Sequence, residues 1–505
     1  MLDTYAEAVR QIQDEAERIQ SAQLRNAVDS VTNAASMGSA ESAASGSDAT
    51  EADSRRLDRL QSDADDLAAA AKRLDAEWDA LVERRAAADR AAAAGLSDSD
   101  VLGVAPGYAG SLAAMSDADF LRAVAGMPPE VLAAQGNGVA DRIAAVPPEV
   151  VQAWWDGLGG RATAGEHSAA QDALITALPA VIGNLNGVPY WARDQANRLS
   201  AQRAYAQAEG AVKAAKDNLK AAIGRTAQLA AQQKLNAAQA REKDLRNFVA
   251  GAKRKLNLLH EVPRQMVSFS PSHPPLGAFS VGDLDTADSV SYLVPGMGSS
   301  LKDTTQYMVA ASTVIGLHQG LVPPPTTAMV TWIGYEAPPN FMTTGNRGVF
   351  GEHYADAGAK RLSVDLEGFR ATRPDAQLDI LAHSYGSTTA AVALAASPDL
   401  RVHSFVTLGS AGIPSSVPNA AATHAEHMYA AQAAERWDIA YIGRKYSVPH
   451  RLDPADGFGA TPIDTFDGNR VNVHDLNVHS DEDGDYGYLD EGTNSLLTVA
   501  KVTLP

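Results

Sequence analysis

Residues 378–394, LDILAHSYGSTTAAVAL, set an apolar run against an alanine-rich segment, with His383-Ser384-Tyr385-Gly386 between them. QLDILA is a short buried-strand pattern, and STTAAVALAAS is a helical one with Pro398 just beyond it. A serine at such a junction is either an ordinary loop hydroxyl or a nucleophile held in a strained turn. The residues two positions to either side decide between the two. A turn that tight drives any side chain there into the neighbouring strand or helix. Gly386 meets the demand, and Ala382 departs from glycine but is still small. The small-x-Ser-x-Gly pattern between strand and helix makes Ser384 the candidate nucleophile.

Acyl transfer from a serine needs N–H donors for the developing oxyanion, a base, and an acid that orients the base. The backbone N–H of Tyr385, at the start of the helix, supplies the first donor. The second is expected in YLVPGMGSS, where Gly296 and Gly298 let the backbone turn and leave Met297 to present its N–H. The base should be a downstream histidine, with the acid between it and the serine. Asp438 follows the strand pattern EHMYAAQ and is preferred over Asp453, Asp456 and Asp464. His479 lies in the loop before the helix NSLLTVAKV, where it can reach over a sheet edge. It is preferred over His474, which lies in the β-patterned RVNVHDL. His383, beside the serine, reads as a packed or hydrogen-bonded core histidine.

The chain has 505 residues, which predicts two or three units. Residues 1–95 read as a helical hairpin. Leu60, Leu67, Leu74 and Leu81 form one seven-residue row, and Leu57, Ala64, Ala71 and Trp78 form another, as in a coiled-coil seam. The partner is the segment from Asp3 to about Val31, with a small-residue polar tract from Asn33 to Asp53 as a flexible connection. Residues 96–195 read as short helices punctuated by proline and glycine. Residues 196–262 form a long alanine-rich helical segment, on the order of 90 Å if continuous, and are expected to be broken or paired. From 263 to 505, β-type runs (SVSYLVPG, TAMVTWIGY, LDILAHS, VHSFVTLGS, EHMYAAQ) alternate with helical ones, which implies a mostly parallel sheet flanked by helices. If that half is an independent domain, a fragment from about Glu261 should fold alone.

With no cysteine, disulfides, thiolate zinc sites and cysteine nucleophiles are excluded. The net charge of −19 argues against nucleic acid or an anionic membrane as a partner. No run is apolar enough to span a bilayer, and the charged start MLDTYAEAVRQIQDEAERIQ is not a conventional signal peptide. The expected location is therefore cytoplasmic or reached by leaderless secretion. SDEDGDYGYLDEG is acidic, but its glycine is misplaced for a calcium loop, so it reads as solvated. No metal or organic cofactor is expected. The expected partners are a small ester or lipid substrate and, through the helices, a second copy or another protein.

These stretches carry a resemblance. LVPGMGSS, VTWIGYEAP, LAHSYGST and VHSDEDGDYGYLDEGTNSLLTVAKV are similar to signature stretches of an α/β-hydrolase family of unknown function common in actinobacteria. AWWDGL and IGNLNGVPYWARDQANR resemble the segment that precedes its hydrolase domain. The family joins a serine-hydrolase domain to an alanine-rich helical N-terminal region. The resemblance implies an α/β-hydrolase fold with a Ser-Asp-His triad, placing Ser384, Asp438 and His479 in the matching positions. Esterase or lipase chemistry is the first expectation, with a peptidase or acyltransferase on the same triad as an alternative. The other class of reading makes the helical hairpin a secretion-linked effector or binding module. It would rest on Trp155-Asp156-Gly157, which matches a Trp-x-Gly turn but reads first as a packing tryptophan, and on the spacing of Tyr205 and Glu209, which falls inside the long helical segment and is discounted.

Overall fold

The computed structural model describes residues 2–44, 50–96, 115–127, 137–159, 167–433, 439–447, 449–478 and 484–505. Helices α1 (Leu2–Ala44) and α2 (Glu51–Leu96) lie antiparallel. Asn33 Nδ2 donates to Leu60 O (2.7 Å) and Asn26 Nδ2 to Leu67 O (3.1 Å), while Arg18 pairs with Glu77 (3.0 Å) further along. Both seven-residue rows of α2 are half-buried or buried. The tract expected to be flexible is helical up to Ala44, and α2 resumes at Glu51. Alanine and serine without proline let α1 continue, and Ala40, 1 % exposed, extends its contact with the rest of the chain.

Next come α3 (Asp117–Ala125), α4 (Asn137–Ala144), α5 (Pro148–Gly159), α6 (Ala169–Ala177) and α7 (Pro179–Ile182). They share a core with Trp154, Trp155 and Trp191. Trp155 is fully buried and Gly157 lies inside α5, so Trp155-Asp156-Gly157 makes no turn between helices. The long segment is divided into α8 (Tyr190–Ala221) and α9 (Arg225–Gly251), with Gly224 at φ 88° between them.

Eight strands follow: β1 (Met266–Ser270), β2 (Leu276–Val281), β3 (Ser289–Val294), β4 (Thr327–Ile333), β5 (Gln377–His383), β6 (Val402–Leu408), β7 (His427–Ala431) and β8 (Thr461–Ile463). They form one sheet in the order β1-β2-β4-β3-β5-β6-β7-β8. The β1/β2 and β2/β4 pairs are antiparallel and the other neighbours are parallel. Parallel neighbours need crossovers, which α10 (Thr304–Gln319), α12 (His353–Thr372) and α13 (Gly386–Ala396) provide, with the short α11 (Phe341–Thr344) on the way. Beyond β7 lie α14 (Ile439–Tyr446) and the last helix, α15 (Asn494–Val502). Strand residues alternate between two cores. Val290, Tyr292, Val294, Leu378 and Ile380 join Leu362, Leu366 and Phe369 of α12 on one face, while Leu293, Leu381, Val406 and Leu408 join Met308 and Val314 of α10 on the other.

The five β-type runs correspond to β3–β7. β1, β2 and the three-residue β8 are not among those runs, and RVNVHDL forms no strand but runs through bends from Val473. The packing does not stop at residue 263. Ala201, Ala204, Ala208, Leu245 and Phe248 share a core with the sheet, and Phe248 sits 5.4 Å from the Phe269 ring and 5.0 Å from that of Phe279. Gly277 makes room for Phe248, since a methyl group there would lie 2.7 Å from its ring. Each such aromatic contributes about 1.5–3 kcal/mol by burial. A fragment beginning at Glu261 would expose this face and is expected to be insoluble. One beginning at Met115, which keeps all these clusters and omits the hairpin, should remain soluble with cooperative thermal unfolding.

Candidate active site

Ser384 occupies the turn between β5 and α13 with φ 56°, one of three non-glycine residues with positive φ among the described residues. That conformation costs a non-glycine residue roughly 1–2 kcal/mol and persists only where its surroundings hold it. Ser384 N donates to Leu408 O at the end of β6 (3.0 Å). Ser384 O accepts from Ala411 N (3.2 Å) and from Ser387 Oγ (2.7 Å). The two flanking glycines explain why the turn can be this tight. A methyl group on Gly386 would collide with Val294 O, and one on Gly296 would lie 2.6 Å from Ser384 Cβ and 2.8 Å from Tyr385 N. Ala382 is fully buried in β5, opposite Val294 of β3.

Gly296 thus brings the loop after β3 against the elbow, with Met297 next to it in the chain. Among the described residues, neither the Met297 N–H nor the Tyr385 N–H has an intramolecular acceptor. Both residues are fixed by their side chains and neighbours. Met297 Sδ accepts from Phe341 N (3.4 Å), and Gly298 N donates to Pro338 O (2.8 Å). The buried Tyr385 hydroxyl donates to Gly351 O (2.6 Å) and accepts from Ala355 N (3.3 Å). Burial pushes the phenol well above its ordinary pKa, so it remains a donor. Tyr385→Phe removes a hydroxyl that satisfies the buried Ala355 N–H and the half-buried Gly351 carbonyl, and should cost about 1–3 kcal/mol in urea unfolding. The hydroxyl faces the 351–355 segment, so labelling of Ser384 by a fluorophosphonate should persist in this variant.

A cavity of about 330 Å³ opens over this turn. Ser384, Gly296, Met297 and Gly298 line one side, and Ile439, His474, Asp475 and Leu476 line another. Ser299, Asp303, Gln306, Tyr307, Asn340 and His383 complete the polar part of the wall. Burial raises the pKa of the Tyr307 hydroxyl and keeps it neutral. Sequence reasoning missed Tyr307, Asn340 and Asp475 as cavity residues, because no motif marks a wall assembled from separate loops. A second cavity, about 280 Å³, is bounded by β1, β2 and α12 near Phe269, Lys360 and Arg361, and contains no serine–histidine combination.

Asp438 and His479 lie outside the described residues. Their described neighbours are Ile439, on the cavity wall, and Val478, whose N–H donates to Asp490 Oδ2 (2.9 Å). His474 itself lines the cavity. His383 is 8 % exposed, and its Nε2 donates to His474 O (2.7 Å), with the two rings 4.8 Å apart. The alternative acids have other contacts. Asp453 pairs with the buried Arg444 (3.0 Å), which also reaches Gln432 Oε1 (2.9 Å). Asp464 accepts from Phe466 N (2.8 Å), which holds its carboxyl below the usual range. Asp456 N donates to Asp453 O (3.2 Å) in the same turn.

No helix among the described residues is long and apolar enough to cross a membrane. Two uncharacterized proteins of Mycobacterium tuberculosis are each 28 % identical to this chain over 243 residues, 45 % of its length. The match spans 35 % of those relatives, so about two thirds of their length has no counterpart in it. Among solved structures, an open-form lipase overlays 30 % of this chain and 46 % of its own, at 17 % identity and a TM-score of 0.22. A thermostable carboxyl esterase from Bacillus coagulans overlays 27 % of this chain and 41 % of its own, at 15 % identity and a TM-score of 0.17. The profile of the family described as Alpha/beta hydrolase matches residues 271–444. This stretch contains β2–β7, Ser384, Met297 and Tyr385, and it forms an alpha/beta hydrolase domain of that family.

Proposed function

We propose that this chain is a serine hydrolase of carboxylic esters, with Ser384 as nucleophile, His479 as base and Asp438 as the acid that orients it. The reading is carried by the backbone of Ser384, a serine held at positive φ in a strand–helix turn at the floor of a cavity. His479 takes the Ser384 proton as Oγ attacks the ester carbonyl. The N–H groups of Met297 and Tyr385 hold the oxyanion, and the alcohol leaves with the proton returned by His479. Water activated by the same imidazole then releases the acid and restores Ser384. The chain order Ser, Asp, His suits this fold, with Ser384 after β5, Asp438 after β7 and His479 after β8.

A second reading makes His474 the base, favoured by its place on the cavity wall with Ser384. Exchange of each histidine for alanine separates the two, since loss of the base removes turnover and loss of a wall residue only reshapes the pocket. The primary test is labelling by a fluorophosphonate, followed by turnover of p-nitrophenyl esters of increasing chain length. Absence of both labelling and turnover in well-folded protein would sink the proposal.

A further inference from the structure

The end of the sheet opposite Ser384 carries a separate group of ligating side chains. His403 is the second residue of β6, Glu426 immediately precedes β7, and His427 is the first residue of β7. Glu426 N donates to Val402 O (2.9 Å) and Ser404 pairs with His427, so the sheet itself sets the three residues side by side. His403 Nδ1 lies 3.1 Å from Glu426 Oε2, and the rings of His403 and His427 are 5.2 Å apart at 89°. One ligating atom from each of the three lies within 4.8 Å of the others. Ser384 follows the carboxyl end of β5, whereas this group sits at the amino ends of β6 and β7. The hydrolase chemistry makes no use of it.

We propose that His403, Glu426 and His427 form a surface site for a divalent transition-metal ion such as zinc(II), with water completing its shell. Two imidazoles and one carboxylate suit zinc, cobalt(II), nickel or copper, whereas magnesium and calcium call for an all-oxygen set. A tetrahedral ion with bonds of about 2.0–2.2 Å holds its ligand atoms roughly 3.4 Å apart. The His403–Glu426 pair, at 3.1 Å, is already close to that spacing, and the exposed His427 ring is free of burial and would rotate to close the remaining gap. A plain ion pair between His403 and Glu426 would need no third ligand, and His427 supplies one. The chain's negative net charge also favours a cation. A bound ion would clip β6 to β7 and stabilise the folded state by mass action, without touching the acyl site.

The test uses the full-length, tag-free, metal-stripped protein, titrated with zinc(II) and with cobalt(II). The expected result is one saturable site, visible absorption from bound cobalt, and a raised melting temperature. Glu426→Gln and His427→Ala should each weaken binding by about tenfold or more while leaving the metal-free melting temperature nearly unchanged, since both side chains are exposed. Absence of saturable uptake in the wild-type protein would overturn the site. So would equal uptake by wild type and a His403→Ala/His427→Ala double variant. Loss of binding in His474→Ala with binding retained in His427→Ala would place the ion in the catalytic cavity instead, and would also overturn it.

Discussion

Ser384→Ala is expected to abolish fluorophosphonate labelling and to lower ester turnover by roughly six orders of magnitude, the scale seen when subtilisin loses its nucleophile. The fold should remain, because the change deletes one oxygen. Ser384 holds its turn through backbone bonds to Leu408 O and from Ala411 N, and neither needs the hydroxyl. Alanine at φ 56° carries the same strain as serine, so the melting temperature should stay within a few degrees of wild type. Labelling and ester turnover measured on folded protein decide the matter. Unchanged turnover of short esters would end the hydrolase reading with this nucleophile, whatever the fold.

Asp438→Asn should reduce ester turnover at neutral pH by about 10⁴-fold, as the corresponding exchange does in serine proteases by favouring the wrong imidazole tautomer. Its melting temperature should change little. The comparison that gives the test its force is Asp453→Asn. Asp453 is ion-paired with Arg444, which is only 7 % exposed and also holds Gln432. Removing that charge leaves a buried guanidinium short of its partner and should destabilise the protein by about 3 kcal/mol, with a far smaller effect on turnover. The two variants therefore separate stability from catalysis, with thermal melts and ester kinetics as the measurements. If Asp453→Asn were the crippling change for turnover and Asp438→Asn were mild, the acid would come from the turn after α14. Ser384 as nucleophile would survive that outcome.

Much of this was legible in the chain because it depends on local rules. Ser384 declared itself through Gly386 and through the change from strand to helix pattern around it. The tight turn was legible because steric exclusion there acts on residues adjacent in sequence. The runs that became β3–β7 were visible because buried parallel strands are apolar along their whole length. The strands that were missed lack that signature. β8 has three residues, and serine or glycine interrupts the apolar residues of β1 (MVSFS) and β2 (LGAFSV), which are buried in part by Phe248, more than twenty residues upstream of β2. The Trp-x-Gly tripeptide was a weaker signal than packing from the start, and Trp155 is indeed buried inside α5 as a packing residue.

By itself the sequence determined the fold class, the strand-to-helix turn at Ser384 and the chain order of the residues proposed for the triad. Each of these rests on periodicity, turn chemistry or spacing along the chain. Only the tertiary structure decided which loops meet. Gly296 touches Ser384 across β3 and β5, far apart in sequence, and His474 reaches the same cavity from beyond β8. It also decided that α8 and α9 belong to the core of the sheet, and that His403 stands beside Glu426 and His427. Such contacts follow from strand order and helix packing, which sum many weak burial terms over distant residues. No short window of sequence carries that sum.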